Sequence, residues 1–334
     1  MKKLFFLSYC FMFLALAISC STTDDDIVNQ ENTENWEHIK LPNTESSKTL
    51  GVYNALGYGY NVLGEYASEN SVASPIIDIE KFKTEESPRL SEENILSQEY
   101  KEVYGEDAAA FSKIISGRVS ATEKLKVFGG TIPFSSAVLS NKKYDPVYIY
   151  GSYNLIIKQK RFRINATPEL LSNYLTASFI KDIEEKTPEQ IVKDYGTHVA
   201  VDVYIGSALN MIFQAKTTNP NRESAARAGV KKAINGSNEI DAIEASKNYA
   251  KKLFYKTRGG DKSLAMAGIY NLDKITPTID YSNWQNTATK ENSVLVDFGN
   301  NGLIFIYDLV KNPVKKAELK SYVDQYLTDN QVAF

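Results

Sequence analysis

Within Asp194-Tyr195-Gly196-Thr197-His198 a carboxylate, a phenol, a hydroxyl and an imidazole fall in five consecutive residues, and Asp202 lies just beyond. His198 is one of only two histidines in 334 residues. Such a group could serve as a general base, and with a nucleophile nearby it could support acyl transfer. The other parts of that machinery are missing from the sequence. No glycine-serine nucleophile elbow occurs, and the histidines form no metal-binding pair. Both cysteines, Cys10 and Cys20, lie in the first twenty residues. Asp194 and Asp202 share the region, but no spacing rule marks them as a catalytic pair. A lone strand histidine is more often a packed structural residue. The expectation is therefore no enzyme, no metal and no cofactor. Gly196 would permit a tight turn between helix and strand, with Thr197 and His198 hydrogen-bonded to neighbouring backbone. The closely spaced Gly57 and Gly59 precede no phosphate-loop lysine, and they too suggest tight backbone approach.

The N-terminus sets the compartment. Met1-Lys2-Lys3 followed by an apolar run from Leu4 to Ile18 has the form of a secretory signal, too short to span a bilayer as a helix. Ala17-Ile18-Ser19-Cys20 resembles a bacterial lipobox, with Ala17 where leucine is usual. That resemblance implies acylation of Cys20 and membrane lipid as a partner; several acyl chains would anchor the protein stably. The following Ser21-Thr22-Thr23-Asp24-Asp25-Asp26 looks like the surface-export signal of lipoproteins of the Bacteroidetes group, or else a solvated acidic tether. Residues 1–19 thus read as signal peptide, 20–48 as polar tether and 49–334 as one domain. Loss of the leader takes the formal charge from −3 to −5, and this slight acidity argues against nucleic-acid binding.

The elements that would hold the box are legible in part. Leu50 to Asn61 reads as strand and turn, Ser74 to Ile79 as a short strand, and the charged stretch through Asn94 as loop and turn. Tyr148, Tyr150, Tyr153, Leu155 and Ile157 alternate with polar residues, predicting a long strand over 147–164. Thr167-Pro168-Glu169 and Thr187-Pro188-Glu189-Gln190 are helix openings with a cap and a proline in the first turn. Val199 to Gln214 predicts an unusually long strand. Lys252 to Thr257 returns as strand and meets Gly259-Gly260, which could give the bend a long sheet needs. Ser293 to Phe298 and Leu303 to Leu309 read as strands. Ala317 to Leu327 reads as a helix with Leu319, Tyr322, Val323 and Tyr326 on one stripe.

Four landmarks resemble the membrane attack complex/perforin (MACPF) family in correct order over residues 50–330. They are the opening Leu56-Gly57-Tyr58-Gly59-Tyr60-Asn61, the box Tyr195-Gly196-Thr197-His198, the diglycine Gly259-Gly260, and the closing strand and helix from Leu303. The resemblance implies an α+β fold: a bent, twisted, mostly antiparallel four-stranded central sheet flanked by two helical clusters. It makes the box and the diglycine supports of the bent sheet and its hinge. It also implies a protein that oligomerises and forms pores by unrolling helices into strands.

Two segments suit that conversion. From Ala109 to Val127 the odd positions, including Phe111, Ile115, Val119, Leu125 and Val127, are mostly apolar, and the even ones are mostly polar. Around Lys216 to Lys251, Val230, Ile234 and Ile240 share one parity, with Gly236-Ser237-Asn238 as a turn. These eight are the candidate membrane-facing residues. Lys113, Glu123 and Lys232 interrupt the apolar rows. The same stretches also read as helices, with Ile240, Ile243 and Tyr249 near one stripe. The expected function is a lipid-anchored outer-membrane protein, exposed on the cell surface or released, that assembles as a homo-oligomer and perforates target membranes as an antibacterial toxin. Two alternatives stay open: a non-lytic surface protein for adhesion or host contact, and an inner structural lipoprotein. Family toxins commonly carry a further targeting domain after this core, and none follows the last helix before Phe334.

Overall fold

The computed structural model describes residues 36–41, 50–119, 147–234 and 239–330. Its frame is a seven-stranded antiparallel sheet. Four long strands form the centre: β4 (Leu90–Gly105), β5 (Tyr148–Ile164), β7 (Asp202–Thr217) and β8 (Asn248–Arg258), adjacent in the order β8-β7-β5-β4. Short strands complete it. Beyond β8 lie β9 (Ala267–Asn271) and then β1 (His38–Lys40). β10 (Val294–Phe298) pairs with Val203–Gly206 of β7, where β8 has already ended. The expected four strands are thus the long core of a wider sheet.

A second sheet of four strands runs β11 (Leu303–Phe305), β6 (His198–Ala200), β2 (Tyr58–Tyr60), β3 (Val72–Pro75). The helices are α1 (Ile79–Glu85), α2 (Ala108–Val119), α3 (Ala177–Glu185), α4 (Pro188–Tyr195), α5 (Arg222–Ile234), α6 (Glu239–Ser246) and α7 (Pro313–Asp329). Short turns at Pro168–Leu171 and Ser282–Gln285 add to these.

Burial on both faces explains the apolar run in β7. Val203, Ile205 and Ile212 join the larger core with Phe162, Leu295 and Val323. Leu209, Met211, Phe213 and Ala215 join a second core with Leu155, Val230 and Trp284. A strand covered on both sides loses the alternation that marks a half-exposed one.

Several expectations are corrected. The strand predicted over Val199 to Gln214 is two strands. At Val201 the chain leaves the second sheet for the first, and Gly302 O accepts from Val201 N at 2.8 Å. The charged stretch through Asn94 is not all loop: α1 and the start of β4 occupy it. β4 is an edge strand, so its charges lie opposite those of β5. Glu92 meets Lys160 at 2.5 Å and Glu99 meets Lys158 at 3.0 Å. Leu303 to Leu309 is strand only to Phe305 and then a 3-10 turn. The last helix is longer than expected and buries Leu319, Val323 and Leu327, with Tyr322 and Tyr326 half-buried. Tyr249 lies on β8, off the stripe proposed with Ile243. Within the stretch read as tether, His38–Lys40 pair with β9, and the His38 ring stacks on Tyr270 at 4.1 Å.

Candidate functional site

The box is built by α4 and the strand after it. Thr187 and Gln190 form a reciprocal capping box that starts α4, with Pro188 in the first turn. Gly196 ends it at φ 74°, and a Cβ there would lie 2.5 Å from the carbonyl carbon of Tyr60. No L side chain fits that close approach, so this glycine lets α4 meet β2. Thr197 N then donates to Tyr60 O at 3.0 Å.

His198 is fully buried, its ring 4.4 Å from that of Phe305. Its Nδ1 lies 2.9 Å from Thr197 Oγ1, and Nε2 has no hydrogen-bond partner. Burial pushes the imidazole down to about 3, so it stays neutral and acts as a packing group. The two carboxylates of the region are separated. Asp194 is held by Lys186 at 2.7 Å, and Lys186 also binds Asp182 at 2.7 Å. Asp202 takes a two-pronged bond from Arg161, at 2.8 and 2.6 Å. Tyr195 donates its hydroxyl to Asp182 at 2.8 Å. These groups are engaged structurally, and no substrate could reach His198. Among the described residues no cluster of three or more potential metal ligands occurs.

Gly259 and Gly260 sit where β8 ends and β10 takes over the edge of β7. Both have positive φ, 66° and 74°. Trp284 Nε1 donates to Gly259 O at 2.8 Å, and a Cβ on Gly260 would lie 2.7 Å from that nitrogen. The diglycine thus seats a fully buried tryptophan at the end of β8.

Beside it lies a polar network that sequence reasoning missed. Asp297 on β10 is buried against Lys101 of β4 and Lys158 of β5, the latter at 3.1 Å, and accepts from Tyr66 Oη at 2.7 Å. Burial alone would raise this carboxyl, but the two ammonium groups outweigh it and hold it low. Arg258 donates to Asn210 Oδ1 at 3.1 Å and to the carbonyls of Ala67 and Leu295. The sequence signals only a charge within the apolar runs of β5, β8 and β10 and several on β4, with nothing to say which charges meet.

The two ambiguous segments contain helices at the ends of hairpins. β4 and β5 stay paired to Gly105↔Tyr150, and α2 follows. β7 and β8 stay paired to Thr217↔Asn248, and α5 and α6 lie between them. Helical periodicity now decides burial: Phe111, Ser112, Ile115 and Ser116 are buried on α2. On α5 Val230 is buried and Ile234 half-buried. Small residues let α5 lie close to the sheet: a Cβ on Gly229 would be 2.3 Å from the Phe213 ring, and one on Gly151 would be 2.4 Å from a Val230 methyl. Asn248 Nδ2 ties β8 to Ala225 O at 2.9 Å. Lys113 and Lys232 are exposed. Val119 closes α2 and Ile240 lies in α6, but their side chains fall outside the description. Cys20, Glu123, Leu125, Val127 and Gly236-Ser237-Asn238 lie outside the described residues.

A model of the MAC/Perforin domain matches residues 47–333. The fold is similar to that of a MAC/Perforin-domain protein from Bacteroides thetaiotaomicron, with a TM-score of 0.69 at 18% identity over 87% of this chain and 65% of that one. It is also similar to GNIP1Aa from Chromobacterium piscinae, with a TM-score of 0.64 at 17% identity over 85% of this chain and 58% of that one. The chain therefore spans less than two thirds of the length of either. No curated protein matches the sequence.

Proposed function

We propose, from the premise that this chain belongs to the MAC/Perforin domain family, that it is a lipid-anchored surface protein that oligomerises and perforates target membranes. The observation that carries this reading is the placement of the helical segments. Both follow directly from the tips of paired antiparallel strands, so unwinding would extend two existing ladders without changing the topology. The stretch 218–247 is long enough for two crossings of about 9–11 residues each and a turn. Among the described residues no helix is long and apolar enough to cross a membrane, so insertion in this reading uses strands. A sheet assembled from several copies would be needed, because a single pair of hairpins leaves open edges that lipid cannot satisfy. The role is membrane damage without catalysis, directed at competing bacteria, with Cys20 carrying the anchor on the outer membrane.

A non-lytic adhesion role is the second reading, and Lys113 and Lys232 favour it. A lysine on the lipid face of a barrel costs about 2–4 kcal/mol at the midplane. One experiment separates the two. Protein lacking residues 1–20 carries no cysteine, so Gly151→Cys with Val230→Cys can tie α5 to β5 through a single disulfide. We expect dye release from liposomes or sensitive bacteria by the parent protein, its loss in the oxidised double variant and its return on reduction. No release from any membrane by folded parent protein selects adhesion.

A further inference from the structure

Between the β2–β3 hairpin, α4 and α7 lies an open groove of ≈ 790 Å³. It adjoins the box, of which Gly196 lines the groove while the Tyr195, Thr197 and His198 side chains do not. We infer that this groove is a binding site for a neutral glycan. Three features point to that class of ligand. The first is an aromatic platform: Tyr322 and Tyr326, one helical turn apart on α7, line the groove with rings nearly parallel (14°) and centroids 6.0 Å apart. Both are half-buried, and neither hydroxyl has a hydrogen-bond partner among the described residues. An apolar ring face beside an unsatisfied hydroxyl matches the C–H face and hydroxyl rim of a pyranose.

The second feature is a fixed donor. Asn61 Oδ1 accepts from Leu63 N at 3.1 Å, which settles the orientation of the amide. Asn61 lines the groove, and its NH2 group has no acceptor among the described residues. The backbone around it is held by Asn61 N to Ser71 O at 2.8 Å and Thr197 N to Tyr60 O at 3.0 Å, so little ordering is left for binding to do.

The third feature is charge balance. Glu189 and Lys193 are exposed on α4, make no ion pair among the described residues, and offset one another. Asp194, which also lines the groove, is neutralised by Lys186. A phosphate or sulfate group would find no arginine to grip it. Burial, then Glu189, raises the Tyr322 phenol, so its hydroxyl stays protonated and can donate. By contrast, the open pocket around Arg161 and Tyr204 has its Arg161 already committed to Asp202.

The test uses the full-length chain in a zwitterionic detergent without a sugar headgroup. Maltohexaose, cellohexaose, chitohexaose and mannohexaose are the probes, read by saturation-transfer NMR and isothermal titration. At least one should bind with a dissociation constant of about 1 mM or tighter. Tyr322→Ala and Tyr326→Ala should each weaken it about tenfold, while Tyr326→Phe, which keeps the platform and removes one donor, should weaken it only about threefold. Asn61→Ala should weaken it about fivefold. Thermal melts of each variant confirm that the fold is retained. No saturation transfer from any hexaose, or equal binding by parent and folded variants, would overturn the inference. Because no membrane is present, this outcome is independent of whether the protein forms pores.

Discussion

Burial keeps His198 neutral, and that couples the fold to pH. The unfolded imidazole takes a proton near its ordinary 6.5, the folded one only near 3. Below about 6.5 the unfolded state therefore binds more protons, and stability falls as pH falls; above it this contribution is constant. The loss between about pH 7.5 and about pH 5 should be roughly 2 kcal/mol. His198→Gln should lack this component, measured as the difference between the two proteins' urea stabilities across that range. Identical pH profiles would mean the ring takes a proton without unfolding. Asp297→Asn should cost about 3 kcal/mol in chemical denaturation, because Lys158 and Lys101 lose their buried countercharge. A loss under about 1 kcal/mol would show that Glu99, 3.0 Å from Lys158, suffices alone. His198 was legible as a packing residue because it is a lone histidine at the start of an apolar strand. Asp297 was not, since its partners lie on strands nearly two hundred and more than a hundred residues earlier in the chain.

At the scale of elements, α5 is the part whose attachment can be loosened selectively. Arg222 at its start donates to Glu106 O at 3.0 Å and Tyr148 O at 3.1 Å, tying the helix to the ends of β4 and β5. Arg222→Ala should speed amide exchange over residues 222–234 by about tenfold and leave the centre of β7 protected. Equal acceleration in both would mean α5 opens only with the whole domain. Elements with local signals are legible in the sequence: the capping box of α4 is four residues long, and β5 is rich in the aromatic and β-branched residues that favour strands. β4 has no local signature, because its charges are satisfied across the sheet by β5, a pairing that leaves no mark within β4 itself. β6 and β7 look like one long run in the sequence, because both are buried and the step between sheets at Val201 changes no residue type.

For the whole molecule, the sheet's two edges differ. β4 presents a charged outer strand, which discourages edge-to-edge pairing. The opposite edge is covered by β9 and then by β1, where His38 stacks on Tyr270 and lies 2.8 Å from the Tyr255 hydroxyl. Deleting residues through Leu41 should lower Tm by about 2–4 °C and speed exchange over 267–271; unchanged values would mean β1 adds nothing to the edge. The sequence by itself determined the family, the order of the main elements, the helix caps and the glycine positions. Each of these is local: a cap, a turn or an apolar period acts within a few residues. Tertiary structure alone decided the width of the sheet, the step at Val201, the Asp297 network and the groove between α4 and α7. These depend on contacts between residues far apart in the chain, and a single sequence carries no term that says which distant charges, edges and faces will meet.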